Sequence, residues 1–283
     1  MALGFNLVMN SGSEAAPRAD VIILTKNSME PSLPETIASV YASIPVNRLI
    51  VVDGGSTDGT VDYLSKQEDV FLIDDSRGDR ATARRKGIEN VQTEYFAFVD
   101  SDMVLQRDWY QEALALMLPK VGAISTYPRY FGTAEGAQRA LEKMYGRPTR
   151  RRFDTAAALL RTSAVRGIQI PSEDEQVPSE DEFIGRVVQK RGYEVLCVGR
   201  PVAYHRESPH LIANPDLRAD LIRKGRLLRA KGWRSSRYMA RQFLVSVPES
   251  LFILVYTGSF TTAWQRFRYS ALSSVGYFAA TNP

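Results

Sequence analysis

Phe98-Val99-Asp100-Ser101-Asp102 places two carboxylates two residues apart at the end of an apolar run. Alternate side chains share a face in extended chain, so both acids are predicted to approach one hard cation. Mg²⁺ or Mn²⁺ takes oxygen ligands and commonly joins protein carboxylates to substrate phosphates. Held there, a cation offsets the charge that builds on a departing diphosphate. The same spacing also occurs in solvated turns and helix caps, so its force comes from following a strand. A second acidic run is Ser179-Glu180-Asp181-Glu182. One of its carboxylates could take a proton from an attacking hydroxyl, or the run could simply stabilise a helix N-terminus. Other candidates carry similar pairs of readings. Asp53 could open a turn with Gly54-Gly55, Thr25 could end a strand, and Arg84 could be a solvated helix charge.

These residues need elements to position them. Val21-Ile22-Ile23-Leu24, Leu49-Ile50-Val51-Val52, Val70 to Ile73 and Tyr95 to Val99 read as short buried strands. Residues 33 to 43, 60 to 66 and 80 to 91 have helical patterning between them. The alternation predicts an α/β domain, Rossmann-like, with a mostly parallel sheet and helices on both faces. Ligands of such sheets bind at the carboxyl ends of the strands, where Thr25, Asp53 and Asp100 fall. Further along, 107 to 117 is predicted helical, 155 to 160 a strand, and 181 to 191 a helix.

Taken in order, the motifs resemble the inverting family 2 glycosyltransferases, which use a GT-A fold and a nucleotide-sugar donor. Thr25-Lys26-Asn27 follows the first strand. Asp53-Gly54-Gly55-Ser56-Thr57-Asp58-Gly59-Thr60 is similar to the family's V-D-x-x-S-x-D-x-T segment, and Ala83-Arg84-Arg85-Lys86-Gly87 to its A-R-N-x-G helix. Asp100 to Asp102 stands at its metal motif, Glu180-Asp181 with Gly192-Tyr193 at its E-D…G-Y element, and Pro201 to His205 at its P-x-x-x-H. The resemblance implies that Thr25 and Asp53 contact the nucleoside, that Arg84 lies along the nucleotide, and that Asp100 serves donor and metal alike. It implies Mn²⁺ or Mg²⁺ on Asp100, Asp102 and His205, since imidazole suits Mn²⁺. It also implies Asp181 as general base, with Glu182 as its neighbouring rival and Glu180 holding the acceptor. Two departures bear on the donor: Gly54 stands where many members carry a second Asp that reads the base, and Arg85 replaces the usual Asn. A UDP- or GDP-sugar is the implied donor.

The chain has 283 residues, 44% hydrophobic and 24% charged, with a formal charge of +4, which excludes a disordered chain. Cys197 is its only cysteine, so there is no internal disulfide or cysteine-rich metal site, and a reducing compartment is expected. Met1 to Ala19 lacks the pattern of a signal peptide. Residues 1–18 are read as a lead-in, 19–212 as the catalytic domain, and 213–283 as a helical segment. Arg218 to Arg241 holds nine Lys or Arg against one acid, Asp220. Leu217, Leu221, Ile222, Gly225 and Leu228 line one face there, which suggests a basic amphipathic helix for a membrane surface or a second subunit. Phe243 to Tyr256 is apolar but interrupted by Pro248 and Glu249, too short for the ~20 apolar residues a span needs, and a second stripe runs from Phe260 to Phe278. Arg147, Arg150, Arg151 and Arg152 suggest a basic loop over donor or lipid phosphate.

The sequence-based expectation is therefore a cytoplasmic transferase, peripheral on the membrane, acting on a hydroxyl of a lipid-linked glycan. Three other readings fit the sequence less well. A polyprenyl-phosphate sugar synthase needs no strong base. A nucleotidyltransferase usually carries a Gly-rich first loop, which Thr25-Lys26-Asn27-Ser28 is not. A non-catalytic membrane or nucleic-acid binder leaves the ordered acids unexplained, so no nucleic-acid partner is expected.

Overall fold

The computed structural model describes residues 16–30, 32–130, 133–145, 153–172, 180–206, 221–222, 225–226, 228–230 and 234–279. The four arginines at 147 and 150–152, most of the lead-in and much of the basic stretch lie outside them. The first half of the chain runs β1 (Ala19–Thr25), α1 (Leu33–Ser43), β2 (Val46–Asp53), α2 (Thr60–Leu64), β3 (Val70–Asp74), α3 (Arg80–Glu89), β4 (Tyr95–Val99), β5 (Met103–Leu105), α4 (Trp109–Ala115) and β6 (Val121–Thr126). The second half runs β7 (Arg129–Tyr130), α5 (Thr133–Tyr145), β8 (Ala157–Arg161), α6 (Thr162–Val165), α7 (Glu180–Lys190), β9 (Glu194–Val198), β10 (Ala203–His205), α8 (Ser236–Thr257) and α9 (Phe260–Ala279).

Seven strands form one sheet in the order β3-β2-β1-β4-β8-β6-β9. All neighbours are parallel except β8, which runs antiparallel to both β4 and β6. The central strands are apolar throughout because helices cover both faces. On β1, Val21 and Ile23 enter the core under α1 and α4, while Ile22 enters the core under α3 and α7. Helix α3 lies close on that second face: a Cβ at Gly87 would stand 2.6 Å from Ile22 Cγ2. At its N-terminus Asp79 and Thr82 form a reciprocal capping box, satisfying backbone donors that open the helix.

A smaller sheet, β5-β10-β7, sits at the carboxyl edge of the main one. The two acids after β4, expected to share a face in extended chain, stand otherwise. Asp100, Ser101 and Asp102 form a tight turn between β4 and β5, closed by the Met103 amide donating to the Asp100 carbonyl at 3.0 Å. Helix α8 continues through Pro248 for its full 22 residues. Proline forfeits one backbone rung. Packing on α5 and α9 around Ala140, Ile253 and Ala263 carries the helix across it, together with a pair between Glu249 and Arg266 on α9.

Candidate active site

The β4–β5 turn is strapped to its surroundings. The Asp100 amide donates to the Ala156 carbonyl at 2.9 Å. The Ser101 carbonyl accepts from the Thr36 hydroxyl of α1 at 3.0 Å, and the Ser101 hydroxyl meets that of Ser28 at 2.9 Å. Strand β10 pairs antiparallel with β5, setting His205 opposite Met103, and the Arg206 amide donates to the Asp102 carbonyl at 2.8 Å. His205 Nε2 thereby lies 3.6 Å from Asp102 Oδ2. Its Nδ1 is 3.1 Å from the Arg206 carbonyl, an acceptor that places the ring proton on Nδ1. Nε2 then turns a lone pair toward an anionic oxygen, an arrangement that fits a cation between them. Among the described residues no group of three His, Cys, Asp or Glu gathers to hold a metal ion. Asp100, expected beside Asp102 and His205, also faces Arg84.

Arg84 is the centre of an acidic cluster. It is 5% exposed, with Nη2 at 3.8 Å from Asp100 Oδ1 and 3.5 Å from Asp181 Oδ1, and Nε at 3.5 Å from Glu180 Oε1. Its guanidinium lies over the Phe98 ring, 5.2 Å from the centroid. The resemblance put Arg84 along the nucleotide; the structure sets it beneath the acids, turned in from the cleft. Glu180 and Asp181 open α7. The first is buried and also meets Arg80 at 4.0 Å. Asp181 accepts a 2.5 Å hydrogen bond from the buried Thr155 hydroxyl through Oδ1.

Burial raises the Asp181 carboxyl above its ordinary range against the pull of Arg84, with Glu180 adding to the rise and the Thr155 bond opposing it. Desolvation likewise pushes Asp100 up to about 7, opposed by Arg84 and reinforced by Asp102, Asp181 and Asp154. Asp100 keeps 36% of its side chain at solvent, which tempers that push. Asp102 is also raised by burial, with His205 acting the other way. Crowded carboxylates that cannot all stay charged are the usual signature of a site for a cation or a proton transfer.

Beside this cluster a cleft of about 420 Å³ opens along the carboxyl ends of β1, β2 and β3, bordered by Thr25, Lys26, Gly54, Asp75, Arg80 and Ser101. Its size suits a small ligand. Thr25 and Asp53 are each 4% exposed and joined to each other, Thr25 Oγ1 donating to Asp53 Oδ1 at 2.9 Å. The Asp53 carboxylate also accepts from the Gly55 and Ser56 amides at 2.9 and 2.8 Å and from the Ser56 hydroxyl at 2.5 Å. Asp53 therefore builds the turn that shapes the cleft wall, with Gly55 at a φ of 84°.

Two residues escaped the sequence reading. Asp75 borders the cleft next to Gly54 and is held by Lys86 at 2.7 Å and by the Thr82 hydroxyl at 2.7 Å. It follows β3, so the strand-end rule would have found it. Asp154 acts on both Asp100 and Asp181. It precedes β8, and the start of an antiparallel strand meets the carboxyl ends of its parallel neighbours, a position invisible until strand direction is known.

Residues 20–169, just over half of the chain, match the family model described as glycosyl transferase family 2. A candidate teichuronic acid biosynthesis glycosyltransferase, TuaG of Bacillus subtilis (strain 168), is 34% identical over 116 residues, covering 38% of this chain and 45% of TuaG. An N-acetylglucosaminyltransferase of Azorhizobium caulinodans is 33% identical over 119 residues, covering 38% of this chain and 30% of that protein. The matches thus span less than half of either relative. Among solved structures, mannosyltransferase PcManGT from Pyrobaculum calidifontis, in complex with GDP-Man and Mn²⁺, has the same fold at a TM-score of 0.56 and 18% identity, covering 95% of this chain and 77% of that one. S. aureus TarS 1-349 in complex with UDP-GlcNAc gives 0.50 and 16%, covering 88% and 70%.

Proposed function

The chain belongs to glycosyl transferase family 2, and on that footing we propose that it moves a sugar from a UDP- or GDP-sugar to an acceptor hydroxyl, with inversion. The observation that carries this reading is the joining of two acidic centres on one rim: Asp102 with His205, and Asp181 with Arg84 and Asp100. The donor nucleoside is placed in the cleft against Thr25, Lys26 and the Asp53 turn, beside Asp75. Asp102 and His205 would hold Mn²⁺ or Mg²⁺ with Asp100 close by, the remaining ligands coming from donor phosphate and water. When bound, that cation supplies Lewis-acid neutralisation of the leaving diphosphate.

Asp181 acts as general base. Thr155 occupies its Oδ1 and fixes the carboxylate's orientation, which leaves Oδ2 to receive the acceptor's proton. Its raised pKa brings it nearer to neutrality, where a base is most effective. Arg84 keeps enough of it ionised to accept that proton. Glu180, buried against Arg84 and Arg80, anchors the guanidinium in support of Asp181, a place that suits it better than contact with the acceptor. This investment in a base favours a hydroxyl over an already ionised lipid phosphate as the nucleophile. The basic and aromatic carboxyl-terminal helices support a lipid-linked acceptor.

Thermal unfolding against UDP and GDP, each with and without Mn²⁺, tests the proposal. A ligand that binds only the folded chain raises the midpoint by mass action. One diphosphate should raise it, and only when the cation is present. His205→Ala should abolish the cation-dependent part. A flat response to both nucleotides with either Mn²⁺ or Mg²⁺ would overturn the donor and metal assignments together.

A further inference from the structure

Helices α8 and α9 are built inside out. On α8 the residues turned inward are Met239, Ser246, Glu249, Ser250 and Ile253. Leu244, Val247, Leu251 and Val255 form a stripe on its opposite side, and Val255 is 84% exposed. Helix α9 repeats the inversion. Ser270, Ser273, Ser274 and Gly276 are buried together with Thr262, Ala263 and Tyr277, whereas Phe260, Trp264, Val275 and Phe278 face outward. A helix on a water-soluble domain turns its apolar stripe to the core and its polar side to solvent. One ionic pair lies in the seam: Glu249 is 6% exposed and receives Arg266 at 2.5 and 2.9 Å. Ionisable groups that face a helix bundle's interior, paired, under an apolar exterior are the arrangement lipid imposes.

We propose that the outward face of the α8–α9 hairpin is seated in the hydrocarbon of an anionic phospholipid bilayer. Charge complements this occupant. Arg237 and Arg241, both exposed, stand in the first two turns of α8 at the border of its apolar stripe, where each would meet acidic headgroups. Among the described residues α8 is the one helix long and apolar enough, by composition, to cross a membrane. Between Arg241 and the end of the helix the stretch from Gln242 to Tyr256 rises only about 22 Å at ~1.5 Å per residue, short of the ~30 Å hydrocarbon thickness. Arg266 and Arg268 lie midway along α9. Both features place the hairpin within one leaflet, lying rather than crossing. A second copy of the chain would bury the same apolar surface, but it offers no counter-charge to the arginines at its border: the described outward residues of both helices include no acid.

The proposal does not rest on the transferase reading, and its test needs no donor. The full chain is floated with vesicles of phosphatidylcholine containing phosphatidylglycerol. It should rise with them, less so on phosphatidylcholine alone, and its fluorescence should shift to the blue by a component that Trp264→Phe removes. Leu251→Glu with Val255→Glu should weaken partitioning by ~100-fold or more, since two apolar side chains no longer leave water, while the midpoint of thermal unfolding in buffer stays put. A Leu251→Ser, Val255→Ser pair serves the same purpose should the glutamates impair folding. No flotation on either lipid, or flotation unaltered by both pairs, would overturn the proposal. So would light scattering that shows a lipid-free dimer dissolved by these substitutions, which would assign the face to a second copy.

Discussion

Arg84→Met is the substitution that most directly tests how the acidic rim is held together. It replaces a buried cation with a shorter uncharged side chain and leaves Asp100, Glu180 and Asp181 facing one another. Removing one partner of a buried ion pair costs roughly 3–5 kcal/mol, because the other charge is left uncompensated. Asp100 and Asp181 keep 36% and 23% of their side chains at solvent, so the lower end applies, about 3 kcal/mol at pH 8. The sign of the pH dependence follows from the carboxyls. Asp181 is raised and Asp100 stands at about 7 in the folded chain, against about 3.9 in the unfolded one. The folded state therefore binds these protons more tightly, and stability falls as pH climbs from the unfolded pKa through the folded one. Without Arg84 the rise is larger, so the penalty should shrink on acidification, to about half at pH 5.5 by the same linkage. Urea unfolding of both proteins at the two pH values measures this. A penalty below about 1 kcal/mol at pH 8, or an equal one at both pH values, would refute the idea that Arg84 compensates the cluster.

Three further outcomes follow. Asp181→Asn should lower kcat by about 10²–10⁴-fold, the usual contribution of a general base, with the cation-dependent nucleotide stabilisation retained; nucleoside diphosphate release under saturating donor measures it. Thr155→Val removes the hydrogen bond that favours the charged form of Asp181, so the acidic limb of the kcat–pH profile should move to higher pH; an unmoved limb would take Thr155 out of the base's support. Gly87→Ala drives a methyl group to 2.6 Å from Ile22 Cγ2 and should destabilise by roughly 1–3 kcal/mol through overpacking, read as a lower urea midpoint with an unchanged slope.

The clearest of the strands legible in the sequence share one property. β1, β2 and β4 lie in the middle of the sheet, covered on both faces, and so are written as unbroken apolar runs. β6 is just as buried but reads Val-Gly-Ala-Ile-Ser-Thr. Gly122 is there because Tyr193 and Val188 press within 3 Å of where its Cβ would stand, and Ser125 because its hydroxyl donates to the Asp154 carbonyl. Contacts made by residues far along the chain thus erased the local pattern. The site divides in the same way. Asp100, Asp102 and Asp181 were legible as acids at strand and helix ends. Asp102 and His205 came together through the family resemblance alone: the β5–β10 pairing that joins them lies about one hundred residues apart in the chain and leaves no periodic mark, and neither does the turn of Asp100 toward Arg84.

The carboxyl-terminal helices show the deeper limit of periodicity. A stripe at helical spacing establishes that a helix has an apolar side; it is silent on which way that side faces. The direction is set by where the polar groups find partners. Glu249 looked like an interruption because a carboxylate in an apolar run ordinarily needs water. Its partner, Arg266, sits seventeen residues away across the Gly258 turn, and once the two meet, the charge that should have turned the helix polar-side-out is satisfied within the seam. The apolar stripe is then free to face outward at no further electrostatic cost, and the residue that interrupts the apolar run becomes the reason the helix can present hydrocarbon to its surroundings. Breaking the pair should therefore reach beyond the seam: an unpaired Glu249 would seek water, and the hairpin would lose the orientation on which its outward face depends.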